Sequence, residues 1–300
     1  MTRREPGAAW PALGYRFEGL RHRGLHDGLL SGDAYDLLLA RAVSLRVLTR
    51  HAAPHERELL ERESEALGLI GRHPHVVSLL DRLSLSDGEV LVLERLAPLV
   101  PAVAPMPPAD AVALVVRLCG AVETAHRAGL VHAAVQPAEL HLSEDGRTLL
   151  AGFVRRLGDA QPPVLRAISP HTPPELLLGD PAVEATDVYG LGSTLYELLA
   201  GHAAYRSYDG ESVAALSLRI LTGPVPPIGR RDLPFALIDV INWTLAVDPA
   251  LRPPSAAWLA EELGRIERSQ GWARTPVQVG TEPAEPPRLA RSDGPRHRAG

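Results

Sequence analysis

The sequence predicts an α+β chain in two lobes, a small strand-rich lobe followed by a larger, mainly helical one. Three observations carry this reading. Between Tyr15 and Leu93, apolar residues alternate in short runs punctuated by glycine, with a single helical pattern among them. Residues 97–108 then hold Pro98, Pro101, Pro105, Pro107 and Pro108, a density that neither a helix interior nor a central strand tolerates. From Asp110 onward, apolar positions recur at the spacing of amphipathic helices.

Taken in order, residues 1–13 read as a polar lead. Tyr15–Leu20 and Ala42–Leu48 alternate as strands, with Gly24, Gly28 and Gly32 between them. Pro54–Ile70 has Glu56 and Glu58 early, and Leu59, Leu60, Ala66, Leu67 and Ile70 at helical spacing, so it is predicted as a helix. Val76–Leu80 and Glu89–Leu93 are short apolar runs around Ser86-Asp87-Gly88, a hairpin turn. Beyond the connector, Asp110 is expected to cap a helix reaching Arg127 and closed by Gly129, and Asp187–Leu199, Pro234–Val247 and Ser255–Arg268 to form three more. After Gln270 apolar periodicity fades into Pro, Gly, Arg and Glu, the composition of a disordered tail. The expected division is a lead (1–13), an N-lobe (14–94), a proline-rich hinge (95–108), a helical C-lobe (109–269) and a tail (270–300).

Composition narrows the function. Hydrophobic residues make up 45% and charged residues 22%, ordinary for a globular chain. A net charge of −5 offers no basic field for nucleic acid or an anionic membrane. Aromatic residues, at 4%, are too sparse for a base-stacking platform. The lone Cys119 excludes an internal disulfide and, mid-helix among apolar neighbours, reads as a buried inert thiol. All 31 basic residues are arginine, so lysine chemistry of any kind is excluded. No apolar run is long enough to span a bilayer and no apolar leader opens the chain, so a cytoplasmic protein is expected.

Several segments, in the right order, carry a resemblance. Thr186-Asp-Val-Tyr-Gly-Leu-Gly-Ser-Thr-Leu-Tyr-Glu-Leu-Leu-Ala-Gly201 follows Pro173-Pro174-Glu175. Val247-Asp-Pro-Ala-Leu-Arg-Pro253 comes later, and Leu60–Leu67 precedes His73-Pro74-His75. With Gly129-Leu-Val-His132 and Gln136-Pro137 between them, these stretches resemble the bacterial, eukaryotic-like Ser/Thr protein kinases over residues 14–268. The resemblance implies the two-lobed kinase-like fold, with a small antiparallel N-lobe, one αC-type helix and a helical C-lobe.

It also implies roles position by position. The phosphate-binding lysine is matched by Arg46 and its glutamate partner by Glu63, a pair more readily structural than anion-binding. The catalytic base falls on Ala134, the loop lysine on Gln136, the metal-binding asparagine on Glu139 and the principal magnesium ligand on Gly152. The phosphate loop glycines fall on Gly24, His26 and Leu29, with Gly28 available if the loop slips by one residue. Ser31, Ser44 and His141 stand where apolar residues would sandwich adenine.

His132, Phe153, Glu175, Asp187 and Arg252 match the family and there serve the fold. The retained set is structural and the altered set chemical. The expectation is therefore a pseudokinase with no catalytic residues, not an enzyme, acting as an interaction or allosteric module in Ser/Thr kinase signalling. Its expected partner is another protein, an active Ser/Thr kinase or that kinase's substrate. No cofactor or metal is expected beyond weak ATP binding at Gly24, Gly28, Arg46, Glu63 and Glu94. The alternatives are an ATP sensor without phosphotransfer and a Ser/Thr kinase with unorthodox catalytic residues such as Glu139 or Asp159.

Overall fold

A computed structural model describes residues 16–26, 29–86, 88–99, 105–153, 155–156, 168–280 and 290–291. The expected lead at 1–13, Gly28 and Asp159 lie outside these described residues.

Strands β1 (Phe17–His26), β2 (Leu29–Asp36), β3 (Arg41–Thr49), β4 (Leu79–Leu85) and β5 (Gly88–Glu94) form an antiparallel sheet in the order β1-β2-β3-β5-β4. β3 lies at its centre and is buried on both faces. Alternation divides its side chains. Val43, Leu45 and Val47 join Val90 and Val92 in a small core on one face, while Leu48 joins the main core on the other, the face that also carries Ser44 and Arg46.

Helix α1 (Pro54–Ile70) crosses that second face and buries Leu60, Glu63, Leu67 and Ile70, a helical stripe that places one carboxylate among apolar neighbours. Pro54 occupies its first turn, and the Glu56 carboxylate turns back to accept the Ala53 N–H at 2.7 Å.

The proline-rich connector is not wholly irregular. β6 (Ala97–Pro98) pairs with β8 (Leu140–Leu142), which pairs with β9 (Thr148–Leu150). Helix α2 (Pro108–Arg127) starts before Asp110, because Pro108 in the first turn has no N–H to leave unsatisfied and a φ already suited to a helix. Asp110 sits inside the first turn, where its charge favours the helix N-terminus.

β7 (Leu130–Val131) pairs with β10 (Arg155–Arg156). Helices α3 (Pro174–Leu178), α4 (Glu184–Ala200), α5 (Val213–Thr222), α6 (Phe235–Thr244) and α7 (Ala256–Ser269) complete the C-lobe, with α2, α4 and α7 packed together. Sequence reading left α5 unassigned. Its Val-Ala-Ala-Leu-Ser-Leu-Arg-Ile-Leu run is apolar nearly all round, so no stripe stands out, and Val213 and Leu218 are indeed exposed.

The expected tail needs correction over its first part. Residues 271–280 lie along α2: His73 Nε2 is 2.8 Å from the Gln278 carbonyl, and the Gly280 N–H donates to Thr124 Oγ1 at 2.9 Å. The close approach depends on Gly120, where an added Cβ would stand 2.2 Å from the Gln278 oxygen. Composition missed this segment because its anchors are backbone groups. Further on, β11 (Ala290–Arg291) adds a parallel strand beside β4. Among the described residues, no helix is long and apolar enough to cross a membrane.

Candidate active site

Two groups of polar side chains meet between the lobes. The first is organised by Asp187, fully buried on α4. Its Oδ2 accepts the His132 N–H at 2.8 Å and contacts His126 Nε2 at 2.8 Å, and its Oδ1 accepts the Ala133 N–H at 2.6 Å. These bonds hold the turn after β7 in place, with Ala133 at φ 60°. They also lower the Asp187 carboxyl and raise the His126 imidazole, each against its own burial. His132 Nε2 lies 2.6 Å from the Ala151 carbonyl, and its ring meets Phe153 edge-on at 4.6 Å, linking this turn to the segment after β9.

Below it, Arg252 grips both oxygens of Glu175 at 2.8 and 2.7 Å and reaches the carbonyls of Ala185, Ala246 and Val247. Of these groups, sequence reasoning missed only His126, whose i, i+4 neighbours are ordinary helix residues and give no signal.

The second group faces the cleft. Arg46 on β3 and Glu63 on α1 form an ion pair, Nη1 to Oε2, at 3.0 Å. Burial pushes the Glu63 carboxyl up, opposed by Arg46, and its Oε1 has no hydrogen-bond partner among the described residues. Glu139 ends the 3-10 turn Pro137–Glu139, and its carboxylate turns toward Gly152. A Cβ built at Gly152 would stand 2.7 Å from Glu139 Oε2. The Glu139 carboxylate therefore fills the space that any side chain at 152 would occupy, and the φ of +89° at 152 favours glycine besides. Burial raises the Glu139 carboxyl to about 7, with Arg46 pulling it down and Glu63 pushing it up. Its Oε2 has no hydrogen-bond partner among the described residues.

The remaining predicted positions fall around this cleft. Gln136 Oε1 accepts from Ser169 Oγ at 3.3 Å, tying the turn to the segment ahead of α3, and Ala134 is exposed. Gly24 takes φ +109° with open space around it. At the end of β5, the Glu94 carboxylate accepts the Ser78 N–H at 2.7 Å and meets Arg147 at 3.4 Å, so it braces the start of β4 and the β8–β9 turn. Cys119 is buried and its thiol is pushed far up by burial, the state of an inert packing residue. His171, which sequence reasoning passed over, lies between Ser193 Oγ and Glu197 Oε2, each at 2.7 Å. Among the described residues no cluster of three metal-ligating side chains exists.

This arrangement of lobes and cleft has relatives. The sequence profile of the protein kinase domain matches residues 40–263, three quarters of the chain. The chain belongs to the protein kinase family. The serine/threonine-protein kinase PknK of Mycobacterium tuberculosis is 33% identical over 258 residues, covering 81% of this chain and 23% of PknK, and PknK of Mycobacterium bovis matches to the same extent. The serine/threonine-protein kinase PknL of M. tuberculosis is 32% identical over 257 residues, 77% of this chain and 60% of PknL. The chain thus spans about a quarter of PknK, the first of these relatives.

These matches overturn the expectation of a non-enzyme. The relatives bear the names of protein kinases, and the range matched by the kinase family profile includes positions 46, 134, 136, 139 and 152. The expectation rested on single identities at 134, 136, 139 and 152, whereas the matches extend over the whole domain.

Proposed function

We propose that this domain is a Ser/Thr protein kinase whose nucleotide phosphates are handled by Arg46 and Glu139. The observation that carries the reading is the exchange of space between Glu139 and Gly152: where the family places a carboxylate at the second position, this chain delivers one from the first. Arg46 supplies the positive charge. Its guanidinium has five N–H donors, and the Glu63 contact uses Nη1, which fixes the fork's position on the sheet.

A divalent cation on nucleotide phosphates needs only one or two protein carboxylates, and Glu139 fits that requirement with a buried, unpartnered Oε2. When bound, such a cation would neutralise charge on the phosphates. In its absence the raised Glu139 carboxyl holds a proton near neutrality, so binding of the cation-nucleotide pair displaces that proton and strengthens as pH rises through about 7. Gln136 and the Asp187-held turn position the segment ahead of α3, next to which the hydroxyl-bearing protein partner would lie.

Transfer of labelled phosphate from ATP to a Ser/Thr protein substrate tests this reading. Wild-type protein should transfer label, and Glu139→Gln and Arg46→Ala should each lose at least tenfold, as expected when one group stabilising the transferred charge is removed. Equal transfer by wild type and Glu139→Gln overturns it.

A further inference from the structure

Two backbone groups of the connector beside the cleft are taken up by side chains. The β3–β5 ladder ends at the pair Val43–Glu94, so the Leu96 N–H and C=O lie beyond it and face the sheet without strand partners. Side chains take both. The Leu96 N–H donates to Ser44 Oγ at 3.0 Å, and the Ser44 hydroxyl donates to Asp33 Oδ1 at 2.8 Å. Asp33 Oδ2 accepts from Arg23 Nε at 2.6 Å, and Arg23 Nη2 reaches over to the Leu96 carbonyl. Arg95 Nη1 adds a second cation at 2.6 Å from Asp33 and a longer contact, 3.5 Å, to the Leu96 carbonyl. The chain of bonds begins and ends on one peptide residue.

Strand register explains how the ring assembles. Asp33 stands directly opposite Ser44 across β2 and β3, so the two share the face that looks into the cleft. Ser44 and Leu96 are buried at 5% exposure, whereas the Arg23 side chain keeps 27%. The two arginines are therefore the movable members, Arg23 making the closer contact to the Leu96 carbonyl, and both are held by ion pairs open to solvent and salt.

We propose that Arg23, Asp33 and Ser44 form a built-in cap on the base slot, which a purine-type base opens by displacing Arg23 and taking over the Leu96 N–H and C=O. A flat heterocycle with an acceptor beside an amino donor is the chemistry that those two backbone groups recognise. The cap makes this domain selective against weakly bound nucleotides, since every base must exchange existing hydrogen bonds for its own. This inference rests on the nucleotide-using reading above and deepens it.

Adenosine, which lacks phosphates, tests the slot independently of Arg46 and Glu139. Its affinity for wild-type protein, Arg23→Ala and Ser44→Ala would be measured by titration calorimetry, with hydrogen exchange of the Leu96 amide followed in the same proteins. Each variant should bind adenosine roughly tenfold more tightly, the worth of one hydrogen bond no longer displaced. Ser44→Ala alone should speed Leu96 exchange, while retained protection of the β3–β5 ladder amides shows the variant to be folded. Unchanged or undetectable adenosine binding in both variants overturns the cap, whatever the phosphotransfer result. Tighter adenosine binding in the variants, with no phosphotransfer by any of the proteins, leaves the cap standing and overturns the kinase reading instead.

Discussion

The polar groups behind the lobe junction and those in front of it are held in opposite ways. Behind, both oxygens of Asp187 and both oxygens of Glu175 accept hydrogen bonds in buried surroundings. In front, Glu63 is fully buried and Glu139 is half-buried with its Oε2 out of water, yet each keeps an oxygen without a hydrogen-bond partner among the described residues, around the Arg46 charge. A buried polar group left short costs stability. Single atoms of that kind also occur behind the junction, at His126 Nδ1, Thr194 and Tyr196, so what marks the front is two short carboxylates gathered around one cation.

The sharpest way to break the contrast is to damage the satisfied side. Arg252→Ala strands the buried Glu175 carboxylate and leaves the carbonyls of Ala185, Ala246 and Val247 without their guanidinium. A loss of about 3–5 kcal/mol is expected, the usual cost of removing one partner of a buried pair. Urea unfolding measures it, and a loss below about 1 kcal/mol would mean that the network is slack.

The unsatisfied side should respond with the opposite sign. Glu139 titrates near 7 in the folded protein against an ordinary 4.5, so its ionisation disfavours the fold, and stability falls as pH climbs through that interval. Glu139→Gln removes the charge. At pH 8 the variant should therefore be more stable than wild type, by on the order of 2–3 kcal/mol, while the two converge near pH 4. A stability gain joined to lost phosphotransfer is the signature of a site that trades stability for function. Identical pH–stability curves would show the Glu139 charge to be compensated.

Much of this was legible in the sequence, and what was not has physical causes. The helix at Pro54–Ile70, the β4–β5 hairpin and the helical C-lobe follow from periodicity and turn residues, because burial on one face writes itself into spacing. The Arg46 and Glu63 positions were readable from motif order. Three things were not. The Glu139–Gly152 exchange depends on two residues meeting in space, and the sequence shows only two separate departures from a pattern. The Arg23–Asp33–Ser44–Leu96 ring needs strand register and two backbone groups. The docking of residues 271–280 on α2 rests on Gly120 and on main-chain bonds, so composition labelled it a tail.

That last segment supplies a smaller test. Gly120→Ala places a methyl group where the Gln278 oxygen stands, and α2 cannot yield because it is packed on α4 and α7. A loss of about 1–3 kcal/mol is expected from the forced displacement. It should appear with new proteolytic cleavage within 271–280 while the lobes stay intact. Cleavage unchanged from wild type would show that the segment can shift without detaching.

The smallest expected effect lies in the shape of a pH curve and probes the satisfied side again. Burial opposes a charge on His126, but the Asp187 bond and charge outweigh it and raise the imidazole above its ordinary 6.5. The stability this pair contributes is therefore fully present below 6.5 and drains away as pH rises through the folded value. His73 and His75 act in the other direction. Both are lowered by burial, so they favour the fold when neutral, and their contribution fades as pH falls below 6.5. Only a difference curve isolates His126. The stability of wild type minus that of His126→Gln should be greatest below pH 6.5 and shrink above it, since glutamine keeps a donor for Asp187 without the proton. A flat difference would show that His126 does not change protonation state over this range, a neutral ring still donating its Nε2–H to Asp187 beside the His132 and Ala133 N–H groups.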